Sequence, residues 1–400
     1  MGAPGKTSSF WVGQLGSWKN NPKHAINLAD LIIVDTAVND MKDQQGGASA
    51  ALYYTELMLR QLIPLKRRPT LMWATVSWRP VVVRGTPSQT GSSTAPGYTT
   101  DATQFQLPVL KYYGVSQVSV LHAFLPQLSD PRMQEELWKH FFADQCCHPQ
   151  VMGHQLVAGV IGHALQEEVQ AMGASALAQP SPAAGPLVLP QPMVVSQEDA
   201  KAFASGSSHF FDLREASVVK QVVVANNNFH LEEDVAGKPG LIAREVGASV
   251  ILGLCLRAPA RRLGGRGRAH ATPKPKPAPG TNAAILLIGL LRSYEHMGIA
   301  EVSILAPGAL GHVARNKRSC TCKLDAPAGG ASIPVSTSTA TMRLDTMWED
   351  KVSVYQAMKF EVSANDTAAD CLWLQIKILE ASPPRSENKV KLMTVTVSGA

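Results

Sequence analysis

Read for its apolar positions alone, the first part of the chain alternates short uninterrupted runs with longer stretches of helical spacing. Leu31 to Val34, in ADLIIVDTAVND, form a continuous apolar run that suits a strand buried on both faces of a parallel sheet. In GASAALYYTELMLRQLI the positions Leu52, Leu57, Leu59, Leu62 and Ile63 recur at helical spacing, and Thr70 to Trp78 (TLMWATVSW) reads as the next strand. Strand, helix and strand in this order predict a right-handed crossover unit. The polar stretch TPSQTGSSTAPGYTTDAT reads as a loop and Val115 to Leu121 as a third strand. PRMQEELWKHFF and MGHQLVAGVIGHALQEEVQAM read as two helices, the first opened by Pro131. This region is α/β.

The pattern then changes. ASALAQPSPAAGPLVLPQP is rich in Pro and Ala and carries no charge, which is linker composition. After Phe210 the apolar period becomes two, in VKQVVVAN, ASVILGLCL, AEVSIL, CLWLQIKIL and KVKLMTVTV. In CLWLQIKIL, Leu372, Leu374, Ile376 and Ile378 share one face, with Gln375 and Lys377 on the other. Short strands of this kind predict an antiparallel β-sandwich. The expected division is an α/β domain over 1–175, a linker over 176–208 and a sandwich over 209–400.

Length and composition agree with two folded domains. At 400 residues the chain exceeds one domain of roughly 100–200 residues. With 45% hydrophobic and 17% charged residues it is neither a disordered polyelectrolyte nor a coiled coil. Its apolar runs fall short of the roughly 18 residues that cross a bilayer, and no transmembrane segment is expected. The opening MGAPGKTSSFWVGQL lacks a charged leader with an apolar core, so no signal peptide is expected either. The formal charge of +6 invites a nucleic-acid reading until it is located. Seven basic residues, Arg257, Arg261, Arg262, Arg266, Arg268, Lys274 and Lys276, fall within one Pro- and Gly-rich insertion over 257–282. Without them the formal charge is −1. The insertion carries no aromatic side chain to stack on bases, and it reads as a solvated loop rather than a nucleic-acid interface.

Two places could carry chemistry. The run from Leu31 leads into Ala37-Val38-Asn39-Asp40, which puts an amide side chain at the carboxyl edge of a parallel sheet, where open α/β folds bind ligands. Asp144 and His148 stand together in FFADQCCHPQVMGH. A histidine beside a carboxylate is the base and orienter of a nucleophilic triad, because imidazole takes the proton while the carboxylate holds its tautomer. The pair lacks a nucleophile. Asn39 also suits the cap of a strand-to-helix turn, and His154 and His163 suit structural positions on a helix. Gly5-Lys6-Thr7 imitates the end of a phosphate loop without its earlier glycine or preceding strand. Adjacent Cys146 and Cys147 lack a chelating spacing for zinc, and Cys320 and Cys322 with Cys371 suit either a partial disulfide set or buried thiols. No metal and no cofactor are expected.

Taken together, GAPGKTSS, the strand ending AVND and the segment from Asp144 to His154 resemble three of the four sequence blocks of SGNH hydrolases, the GDSL-type esterases. FFDLR, VVVANNNF, KPGLIAREVGAS, IGLLRSYEHMGIAEVS and CTC resemble the C-terminal β-sandwich of large plant-type and green-algal members. The resemblance implies an incomplete flavodoxin-like, three-layer parallel α/β domain followed by the antiparallel β-sandwich, and hydrolysis of an O-acyl ester, carried by a small molecule or a carbohydrate. It makes His148 the general base, and Gly5 and Asn39 the oxyanion donors, through a backbone N–H and a side-chain amide. Each such donor is worth roughly 3–4 kcal/mol in the transition state. The family's serine lies in a block upstream of the glycine block, so the resemblance implies that this chain lacks the first strand and its nucleophile and is inactive. Ser8 and Ser9 belong to the glycine block. The family aspartate stands three residues before the histidine, where this chain has Gln145; Asp144 stands four before and is the expected orienter. The rival reading is a binding or interaction protein built on a dead esterase domain.

Overall fold

The computed structural model describes residues 7–36, 40, 47–76, 102–120, 122–124, 130–143, 148–178, 187–204, 208–234, 238–255, 284–293, 296–306, 313–316, 321–324, 338–347, 354–362, 367–368, 371–381 and 388–399. The chain divides into two compact units. One holds Met1–Gly5 and Ser9–Asn20 with Glu198–Ala400, the other Lys6–Ser8 with Asn21–Gln197.

The α/β unit is built on three parallel strands, in the order β1-β2-β3. After helix α1 (Ser8–Lys19) come β1 (Leu31–Val34), α2 (Gly47–Leu62), β2 (Thr70–Thr75), α3 (Ala102–Tyr112), β3 (Ser116–Ser119), α4 (Pro131–Phe141) and α5 (Val151–Ala178). Val34 pairs with Trp73, and Trp73 with Gln117. The apolar positions that predicted α2 face inward, with Leu57, Leu59 and Leu62 buried. β1 stands where the apolar run placed it, but it is not covered on both faces. Leu31 is 39% and Ile33 43% exposed, because among the described residues β1 is the sheet edge. Two helices of this part of the chain were not anticipated. α1 carries Gly13 and Gly16, and α3 carries Pro108 inside it, so neither displays a clean apolar stripe.

The Pro/Ala-rich segment also holds more structure than its composition suggests. α5 runs to Ala178, and α6 (Gln197–Ala204) follows. Between them the fully buried carboxylate of Glu56 accepts the backbone N–H groups of Met193, Val194 and Val195 at 2.6–2.8 Å, and the Tyr113 hydroxyl at 2.6 Å. Burial, then the bond to Glu56, pushes the Tyr113 phenol above its ordinary range.

The other unit is an antiparallel β-sandwich, as the period-two pattern predicts. Its elements are β4 (His209–Asp212), α7 (Ala216–Val222), β5 (Val223–Asn227), β6 (His230–Glu232), β7 (Gly240–Ala243), β8 (Ser249–Cys255), β9 (Ala284–Arg292), β10 (Ile299–Leu305), β11 (Val313–Asn316), β12 (Thr321–Leu324), β13 (Ser338–Asp345), β14 (Val354–Val362), β15 (Thr367–Ala368), β16 (Cys371–Leu379) and β17 (Val390–Ser398). One sheet runs β13-β10-β16-β8-β5 and the other β14-β9-β17-β7-β6, with β4 on β17 and β15 on β16. Leu372, Leu374, Ile376 and Ile378 enter one core with Ile288, Leu290 and Val395. A disulfide joins Cys322 of the β11–β12 hairpin to Cys371 of β16. The remaining cysteine of that set, Cys320, and the basic insertion over 257–282 lie outside the described residues.

α1 packs on the sandwich. Phe10 stacks edge-on against Phe210 and Tyr355, with the Arg214 guanidinium 5.4 Å from its ring centre. A side chain at Gly13 would meet the Thr396 hydroxyl at 2.3 Å, and one at Gly16 the Ser208 side chain at 2.4 Å. These glycines are what lets the helix lie this close.

Candidate functional site

The carboxyl edge of the three-stranded sheet gathers the chemistry-bearing segments. Beyond β1, the Asp40 N–H donates to the Thr36 carbonyl at 3.1 Å, joining these residues across the three that include Asn39. The Asp40 carboxylate is buried and accepts two hydrogen bonds. Oδ1 takes the backbone N–H of Ser8 at 2.7 Å, and Oδ2 takes Nε2 of Gln106 at 3.0 Å. Gln106, itself fully buried on α3, accepts the Trp73 indole N–H at 2.9 Å through Oε1, and its Nε2 lies 3.4 Å from the Thr36 hydroxyl. Strand β2, helix α3, the end of β1 and the first residue of α1 thus share one polar network.

His148 arrives at the same edge by another route. Val76 and Val120, just beyond the ends of β2 and β3, pack with Phe141 and Phe142, and the cluster takes in Leu156 and Val157 of α5. Phe142 and Pro149 form an antiparallel bridge, Ala143 N–H donates to the His148 carbonyl at 2.7 Å, and Gln150 N–H donates to the Phe141 carbonyl at 2.8 Å. These bonds hold Phe141–Ala143 against His148–Gln150, and the His148 side chain is exposed. Gly153 explains the glycine of HPxxxGH. A Cβ there would stand 2.2 Å from the Phe141 carbonyl oxygen, so only glycine lets the first turn of α5 seat against the end of α4. His154 and His163 are exposed positions of α5.

Of the four residues expected to make the site, His148 is described at this edge, whereas Gly5, Asn39 and Asp144 lie outside the described residues. What the pattern reading did not single out is the Asp40–Gln106–Trp73 network. Asp40 was in view as the last letter of AVND, but Gln106 offers no local signal, since its partners come from 33 and 66 positions away. Among the described residues no group of three or more His, Cys, Asp or Glu side chains could hold a metal ion.

Neither the models of known protein families nor the sequences of curated proteins match this chain. Solved structures do. The chain is similar to a two-domain esterase (CEX) active on acetylated mannans, at 14% identity and a TM-score of 0.51, over 99% of this chain and 78% of that one. The likeness is one of fold. It covers both units, and it agrees with a parallel α/β part joined to an antiparallel sandwich. The same esterase co-crystallised with mannopentaose gives a TM-score of 0.49 at 14% identity, with the same coverage. The C-terminal CBM6 of LamC from Zobellia galactanivorans gives 0.25 at 6% identity, over 48% of this chain and 98% of that one. These last two likenesses are too weak to bear on the fold.

Proposed function

We propose that the chain is built on the plan of an SGNH, GDSL-type serine esterase whose substrate is an O-acyl ester of a carbohydrate, with acetyl the acyl group. His148 is its general base, Asp144 the orienter of that imidazole, and the Gly5 N–H and Asn39 amide the donors to the oxyanion. The reading assigns the nucleophile to no residue of this sequence. The observation that carries it is the fold likeness, over 99% of the chain, to an esterase active on acetylated mannans. Supporting it are the order of the three blocks in the sequence and, among the described residues, the position of Thr36 and Asp40 after β1 and of the Phe142–Pro149 bridge next to His148, packed by Val76 and Val120 beyond β2 and β3.

The chemistry follows from the residue types. Attack on an ester carbonyl develops negative charge on its oxygen, and donors fixed in advance stabilise that charge without reorganising. An imidazole takes the proton of the attacking hydroxyl and returns it to the leaving alcohol. Without the hydroxyl the site binds an acyl ester and does not turn it over.

The test is binding and turnover measured side by side on the 400-residue chain. Acetylated manno-oligosaccharide should bind, its deacetylated form should bind more weakly, and neither should be hydrolysed. Hydrolysis of a small acetyl ester that disappears on His148→Ala would overturn the absence of a nucleophile. Absence of binding by either sugar would overturn the carbohydrate-ester reading, and equal binding of both would favour a non-catalytic glycan-binding protein.

A further inference from the structure

The outer face of the sheet β13-β10-β16-β8-β5 carries a second, smaller apolar cluster at one end. Leu252, Leu254, Leu372 and Leu374 belong to the core between the sheets, so by the alternation of a strand Ile251 of β8 and Trp373 of β16 stand on the other face. There they cluster with Leu305, Cys322 and Cys371, and Val224 and Ala225 of β5 pack against them. Further along that face of β16 come Gln375 and then Lys377, which is exposed, as befits the solvent side of a two-layer sandwich. Trp373 is nevertheless fully buried. Among the described residues, what lies over it is the β11–β12 hairpin. Strand β12 touches β8 and β5, and its Cys322 is bonded to Cys371. A Cβ at Gly253, the register partner of Trp373, would stand 2.7 Å from the indole ring and 2.9 Å from the Cβ of Cys322. The indole and Cys322 therefore meet over a glycine, and nothing larger fits beneath them.

This cover is weak in itself. Its strands are four residues each and, among the described residues, pair only with one another, an arrangement that is marginal when it stands alone. Closing it also carries a penalty, because the indole N–H of Trp373 is buried with no acceptor among the described residues. Water would take that N–H if the hairpin lifted. A marginal element is thus held over an unsatisfied donor by a covalent bond to the strand beneath it. We propose that the Cys322–Cys371 disulfide is a redox latch, whose reduction by a dithiol lifts the β11–β12 hairpin and uncovers Trp373 while the core between the sheets stays closed. Both sulfurs are buried, so attack follows a local opening of the hairpin. One thiolate of the dithiol attacks a sulfur of the bond, and the other cysteine leaves as a thiolate and takes a proton. The second thiol then displaces the remaining cysteine from the mixed disulfide. The dithiol ends as its own disulfide, and Cys322 and Cys371 each end as S–H. None of this depends on the esterase reading.

The experiment uses the full chain without denaturant, with dithiothreitol as the dithiol and iodide as a quencher of tryptophan fluorescence. Alkylation by iodoacetamide, read by mass, reports whether Cys322 and Cys371 have been reduced. On reduction the quenchable fluorescence should rise by the share of one tryptophan among the seven of the chain. Trp373→Phe should abolish the rise. Replacing Cys322 and Cys371 together by serine should give it without the dithiol, and dithiothreitol should then add nothing. The reduced chain should keep a cooperative unfolding transition of the sandwich, which separates a lifted hairpin from a lost core. A bond that resists dithiothreitol would overturn the proposal. So would a reduced chain with Trp373 still unquenched, a rise that persists in Trp373→Phe, or a sandwich that no longer unfolds cooperatively once reduced. If the serine variant does not fold, reduction of the parent chain decides.

Discussion

The two units bury polar groups for opposite purposes. In the sandwich nearly every inward position of β8, β9, β16 and β17 is aliphatic, and one continuous apolar core closes the two sheets. In the α/β unit distant segments are gathered on two buried carboxylates, Glu56 holding residues 193–195 and Asp40 holding Ser8 and Gln106. An apolar core is non-directional and tolerates sliding, whereas a carboxylate with several N–H donors defines where each donor must be. The unit that carries the candidate chemistry is therefore the one whose loops are fixed by directional bonds.

The sharpest way to break the sandwich alone is to open its one described covalent tie. Cys322 and Cys371 are 49 residues apart, and on the chain-entropy view closing such a loop is worth about 4 kcal/mol. Replacing both by serine should lower the unfolding free energy of the sandwich by that amount, read as a lower denaturant midpoint, and leave the α/β transition in place. Glu56→Ala is the counterpart. It strands three backbone N–H groups and the Tyr113 hydroxyl, and should cost the α/β unit about 3 kcal/mol. Limited proteolysis should then cut first within residues 187–197, while the sandwich stays whole. Gly153→Ala is narrower. Its methyl collides with the Phe141 carbonyl, so α5 must shift and the unit should lose about 2 kcal/mol. Hydrogen exchange should quicken at Ala143 and Gln150, whose N–H groups donate to the His148 and Phe141 carbonyls.

The difference between the units also explains what the sequence made legible. Leu372, Leu374, Ile376 and Ile378 read as one face of a strand because a sheet with one core face repeats every second residue, and all four are fully buried. The strand at Leu31 was placed correctly, but its apolar run carried no sign that it would be an edge. α6 escaped notice because its sequence, QEDAKAFA, is short and half polar; Lys359 of β14 donates to its Asp199 at 2.8 Å. The candidate site was legible as three short blocks, since AVND and HPxxxGH are local. The hydrogen bonds of Asp40 were not, because Ser8 lies 32 positions from it and Gln106 lies 66. Periodicity reports which face meets the core, and says nothing of which distant amide a carboxylate will accept.

The smallest expected effect tests whether the sandwich, too, depends on a carboxylate. Lys391 is fully buried on β17 and donates to Asp234 and to the Lys238 carbonyl, with Lys389 3.2 Å from the second oxygen of Asp234. Burial pushes the Asp234 carboxyl up, but the bonds from Lys391 and Lys389 outweigh it and hold the group below its ordinary value of 3.8. The folded chain then keeps Asp234 ionised at a pH where the unfolded chain has begun to protonate it. Its contribution is present above the unfolded value and is lost as pH falls through the folded one. Asp234→Asn removes that dependence and leaves the Lys391 ammonium without its counter-charge. The variant's sandwich should be less stable than the parent's at neutral pH, and the two midpoints should converge as pH is lowered below about 4. Parallel curves from neutral to acid pH would show that the cluster contributes through packing of the Lys391 stem over Gly240, and that the sandwich rests on its apolar core alone.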